Sequence, residues 1–123
     1  MANPKTELKE SLFNAGLAKL ERIHKIKMGI IQARTMMDYN VICQLLRSYR
    51  MELHERMDDG EKGEANNLQN TMIAAMGNYS KRATSKEVLE RSIERFEQRL
   101  NELEYKYGMS LPNKPDEFGG MKA

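Results

Sequence analysis

The chain has 123 residues, a net charge of +2 and a single cysteine, Cys43. That length supports one domain with a modest core. A lone cysteine excludes an internal disulfide and a cysteine-built zinc cluster, and so small a net charge removes self-repulsion as an obstacle to folding. Leu, Ile, Val and Phe together number only 24, and ten Met residues supplement them with flexible, gap-filling side chains. So lean an apolar stock is often completed by further copies of the chain or by another protein, and an oligomer is expected. The opening stretch MANPKTELKE lacks an apolar h-region, and no apolar run approaches the ~18 residues of a membrane span. A soluble cytoplasmic protein is expected, placed in the host cytoplasm or the virion if its source is viral.

The prolines stand at positions 4, 112 and 115, so the long stretch between Pro4 and Pro112 has none. Helix formers dominate it, and strand-like alternation is absent. The expected fold is all-α, a bundle of about four helices over residues 1–107 followed by an extended tail, 108–123. The first helix is read over about 5–35. Leu8, Leu12, Ile23, Ile26, Ile30 and Met37 share one broad face, Phe13, Leu20 and Ile31 widen it, and Leu17 and Met28 extend it further. A surface that wide suggests contact with more than one neighbour.

The apolar set of the next segment is Val41, Ile42, Leu45, Leu46, Tyr49, Leu53 and Met57, rotated by more than ~120° from the first face. A break near Met36–Asn40 is therefore expected, with Thr35, Asp38 or Asn40 as N-cap, and a second helix over about 38–57. DDGEKGEANN then reads as a solvated loop rather than a calcium loop, because the alternating oxygen ligands and closing Glu of an EF-hand are missing. A third helix is expected over about 67–83, with Leu68, Met72, Ala75, Met76 and Tyr79 on a narrow face. Thr84 and Glu87 form a T-x-x-E capping box that would start a fourth over about 85–107, and Gly108 is placed to end it.

That last helix has the clearest pattern in the chain. Leu89, Ile93, Phe96, Leu100, Leu103 and Tyr107 are spaced 4, 3, 4, 3, 4, the seam of a helix that lies along another helix as in a coiled coil. With Leu89, Phe96 and Leu103 at d, the e positions are Glu90, Glu97 and Glu104, and the g positions Ser92, Arg99 and Lys106. A parallel pair of copies would set Arg99 near Glu104 of the second chain; a different helix with basic flanks would satisfy the same charges, and so would an ordinary bundle neighbour. In the tail, Leu111 and Phe118 are candidate anchors, and Pro112 and Pro115 make a single P-x-x-P.

Signals for chemistry are sparse. Glu21 and His24 make one Glu-x-x-His unit, but a di-iron bundle needs two, so no metal and no cofactor is expected. Cys43, Arg47, Arg50 and His54 fall on one face of the second helix, where a thiol beside guanidiniums could hold an anion. Lys25, Lys27 and Arg34 belong to a basic stretch that is scattered around the first helix and lacks stacking aromatics. The expected function is a non-enzymatic helical interaction or assembly factor, homo-oligomeric or bound to another helical protein, in the style of a phage or mobile-element accessory or virion-assembly protein. Its interface residues would be Leu89, Ile93, Phe96, Arg99, Leu100, Leu103, Glu104, Tyr107, Leu111 and Phe118. The alternative is a nucleic-acid-binding subunit, such as a small ring-forming DNA-packaging (terminase-like) protein, with Lys25, Lys27, Arg34, Arg47, Arg50 and His54 as contacts.

Overall fold

A computed structural model describes the backbone of residues 4–108, and the side chains from residue 10 onward except Leu12. Four helices follow one another: α1 Pro4–Thr35, α2 Tyr39–His54, α3 Asp59–Ser80 and α4 Lys86–Lys106. The all-α bundle expected from the periodicity is what forms. The tail with Leu111, Phe118 and the P-x-x-P lies outside the described residues, as do the side chains of Leu8 and Leu12.

The break after α1 needs neither glycine nor proline. Met37 adopts φ 57, the Asp38 N–H donates to the Ala33 carbonyl at 2.8 Å, and the Met37 N–H donates to Arg34 at 3.0 Å. These two bonds are a Schellman turn with a methionine in the left-handed position. Asp38 then caps α2 by accepting from the Val41 N–H. The same turn recurs after α3, where Arg82 has φ 59 and the Ala83 N–H reaches the Asn78 carbonyl at 2.7 Å.

Two element boundaries differ from expectation. α3 begins at Asp59, eight residues before Asn67, so the acidic, glycine-containing DDGEKGEANN is helical rather than a loop. The reason is a reciprocal capping box: Asp58 accepts from the Glu61 N–H at 2.8 Å, and Glu61 accepts from the Asp58 N–H at 3.0 Å. Ala65 and Gln69 of this added stretch and the turn after it are buried. α4 is capped by Ser85, not Thr84, so the T-x-x-E box does not form. Gly108, at φ +62, follows the end of α4.

The helices alternate in direction. Lys19 meets Glu55 at 2.9 Å and Arg22 meets Glu52 at 3.0 Å, which fixes α1 antiparallel to α2. Arg99–Glu64 and Lys106–Glu61 do the same for α3 and α4. α2 is the central element: it packs against all three others, while the backbones of α1 and α4 stay apart among the described residues. α1 approaches α2 closely at Gly29, where a Cβ would stand 3.1 Å from Leu45 Cδ1. The core consists chiefly of Ile23, Ile30, Ile42, Leu46, Tyr49, Leu53, Met72, Leu89, Ile93, Phe96, Leu100 and Leu103.

Candidate interaction surface

The heptad seam of α4 is turned inward. Leu89, Ile93, Phe96, Leu100 and Leu103 are all buried within the chain's own core, and Tyr107 is half-buried. The seam read as a candidate intermolecular interface is thus packed inside the bundle, where α4 lies against α3 and, less extensively, α2. The flanking charges explain why it fits. On the e side, Glu97 pairs with Arg34 at 2.8 Å and Glu104 with Lys27 at 3.0 Å, both from α1, while Glu90 accepts from the Tyr39 hydroxyl at 2.8 Å. On the g side, Arg99 and Lys106 pair with Glu64 and Glu61 of α3. Arg99 and Glu104 therefore have partners within the chain, and the cross-copy pair between them is not needed. The basic-flanked helix that the e-position glutamates call for is the protein's own α1.

Glu104 is buried, and Tyr49 donates its hydroxyl to it while Lys27 approaches from the rim. Burial first, then the hydrogen bond to Glu104, drives the Tyr49 phenol far above its ordinary titration range. Glu61 is the counterpart at the other side of α4. Hydrogen bonds from Lys106 and Tyr107, then the Asp58 N–H, hold its carboxyl at about 2, well below the usual range.

The anion and nucleic-acid candidates are dispersed or occupied. Cys43 is buried in the core, not on a solvated face, and desolvation pushes its thiol up to about 11 despite the nearby Arg47. Arg50 donates to Gln69 of α3 at 2.7 Å. Lys27 and Arg34 are ion-paired as above, and Lys19 and Arg22 are paired with α2 carboxylates. Lys25, Arg47 and His54 are exposed on two different helices. Glu21 is exposed and His24 half-buried, and among the described residues no group of three or more His, Cys, Asp and Glu is placed to hold a metal.

Single apolar side chains are exposed on every helix, Met51 on α2, Ile73 on α3 and Tyr105 on α4 among them, but α1 has three of them, Phe13, Met28 and Ile31. α2 has 16 residues against 32 in α1, and the Lys19–Glu55 pair marks the level at which α2 ends. The helix N-terminal to Lys19 projects as an arm. From Glu10 to Ala18 every described side chain on it is exposed except the half-buried Leu17. The arm has Phe13, 70% exposed, and the same helical face continues on the bundle through Leu20 and His24 to Met28 and Ile31, which are 50% and 58% exposed. A cleft of about 230 Å³ beside Ile31 is lined by Lys27, Ile30, Ile31, Tyr49, Glu97 and Asn101. α1 therefore has two apolar stripes, one buried on α2 and one that is open at Phe13, Met28 and Ile31 and half-buried at Leu17 and at Leu20, which leans on the core. The open stripe was visible as the widening of the α1 face by Phe13, Leu20, Ile31, Leu17 and Met28, but no pattern marked it as the exposed one. Compared with protein-family models, curated proteins and solved structures, the chain matches none of them. No described helix is long and apolar enough to cross a membrane.

Proposed function

We propose that the protein is a non-enzymatic helical docking or assembly factor, and that its docking element is the open stripe of α1, Phe13 to Ile31. The observation that carries this is the arm itself. A helical stretch of this length that contains Gly16 and has no tertiary partner among the described residues is marginal in water, because helices in proteins owe most of their stability to packing of an apolar face. A stripe that runs continuously from the unsupported arm onto the supported bundle gives a partner helix both an anchor and something to order. Large exposed apolar patches of this kind mark interaction sites. The proposed interface thus moves from the α4 seam to α1.

Nucleic-acid binding is the weaker alternative, because four of the cations on α1 are matched by carboxylates of α2 and α4. An enzymatic role for Cys43 has little support, since its thiol is buried and held in the neutral form.

The test is site-specific photo-crosslinking in the native cell, with the probe at residue 13, at residue 31, or at residue 47 on the far side of α2. Docking through α1 predicts protein adducts from 13 and 31 and none of the same mass from 47. Equal labelling from all three sites, or none from 13 and 31, overturns the proposal.

A further inference from the structure

We infer that the open stripe of α1 is occupied by a second copy of this chain, held antiparallel by a two-fold axis that crosses α1 at the level of residue 22. This deepens the docking reading above and rests on it.

The stripe positions are 13, 17, 20, 24, 27 and 31, with intervals 4, 3, 4, 3, 4, so the order of intervals is the same from either end. Antiparallel pairing about residue 22 sets Phe13 against Ile31 of the second copy, Leu17 against the aliphatic stem of Lys27, and Leu20 against His24. Each contact occurs twice, as an isologous interface requires. Lys27 retains its bond to Glu104 in this arrangement, because its charged end leaves the seam on the α4 side.

Length also matches. In this register residues 9–20 of each copy lie along residues 24–35 of the other, so the unsupported arm of one covers the exposed bundle stripe of its mate. Both exposed regions of α1, the arm and the Met28–Ile31 surface, are covered in one act. Residues 9–35 overlap over about 40 Å of helix.

The flanks match as well. In an antiparallel pair, equivalent flanks of the two helices face each other. The flank of α1 next to α4 is the one from which Lys27 and Arg34 reach Glu104 and Glu97. An arm laid there runs along the surface of α4 that includes Gln98, Asn101 and Glu102. On the facing flank of the arm, helical register places Gly16. Gly16 has nothing within 4 Å of where its Cβ would be, and in the pair it would pass over the cleft beside Ile30 and Asn101. A small residue is what a close crossing needs there.

Light scattering on the purified chain from low-micromolar to ~100 µM should show the dimer mass. Phe13→Asp/Ile31→Asp should raise the dissociation constant ~100-fold or more while leaving the α-helical circular dichroism of the bundle in place, since both side chains are exposed. Orientation is read by oxidation in a Cys43→Ala background. Phe13→Cys alone and Ile31→Cys alone should give no disulfide-linked dimer, because like residues would stand about 27 Å apart; an equal mixture of the two should cross-link. A monomer throughout the concentration range, a dimer indifferent to the double Asp variant, or cross-linking of Phe13→Cys with itself overturns the inference. The docking reading fails separately, when residues 13 and 31 photo-cross-link to neither this chain nor any other protein, or when residue 47 labels equally.

Discussion

Glu104, which like Glu61 is a carboxylate buried by the fold, shows how a single side chain joins three helices. It projects from α4, accepts the Tyr49 hydroxyl from α2 and pairs with Lys27 from α1. Since the backbones of α1 and α4 do not approach each other, this triad and the Arg34–Glu97 pair are what hold α1 in register with α4. A hydrogen bond to a buried charged group is worth about 1.5–3 kcal/mol, and the larger cost falls on whichever change leaves the charge less satisfied. Tyr49→Phe should therefore lower the urea unfolding free energy by about 2 kcal/mol. Glu104→Gln keeps an acceptor for Tyr49 and leaves Lys27 at the wet rim, so its cost should be nearer 1 kcal/mol. If Glu104→Gln proves the more damaging of the two, the carboxylate and not the phenol carries the junction.

At the scale of elements, the start of α3 and the end of α4 are tied by Glu61, which is at once the third residue of a capping box and the acceptor for Lys106 at 2.5 Å. Its carboxyl titrates at about 2 in the folded protein, below the value it would have in the unfolded chain. The stabilisation is therefore complete above pH ~5 and is lost as pH falls through the carboxylate range towards 2. Chemical denaturation followed by circular dichroism should show the midpoint falling over that window. Glu61→Gln should be less stable at neutral pH and flatter below pH ~5, since glutamine still completes the capping box and only the charge is removed. The same region shows why this boundary was misread. Gly60, Gly63 and four acidic residues look like a loop, yet Asp58 and Glu61 have the capping-box spacing, and the buried Ala65 and Gln69 give the turn a face to pack. The break at Met37 was legible as a change of face between α1 and α2, but not as a left-handed methionine, because no residue type announces one. The 4-3-4-3-4 pattern of α4 announced a helix-on-helix seam correctly. Whether that seam faced its own chain or another could not be read from α4 alone, because the answer lay in Lys27 and Arg34 on a helix some 60 to 80 residues earlier.

For the molecule as a whole, the length of α2 decides which apolar surface stays open. At 16 residues it covers about half of α1, so the wide face legible around Phe13, Leu20 and Ile31 is divided into a buried stripe and a free one by an element several residues downstream. Periodicity alone had no means of assigning burial between the two. This division makes monomer stability and assembly respond oppositely to one position. Gly16 lies in the solvated arm, where leucine would improve helix propensity by ~0.8 kcal/mol and would meet nothing in the single chain. In the antiparallel pair the same side chain would be driven into the cleft between Ile30 and Asn101 of the mate, where overpacking costs typically 1–3 kcal/mol at each of two symmetric sites. Gly16→Leu should therefore have the higher helical content at low-micromolar concentration and the weaker dimer. Its melting temperature should depend less on concentration than that of the native chain, whose transition should rise as the protein is concentrated. Thermal scans of both proteins across a hundredfold dilution series decide the matter. Parallel concentration dependence in the two would mean that Gly16 is not at a contact, and that the arm is covered in some other register or by some other molecule.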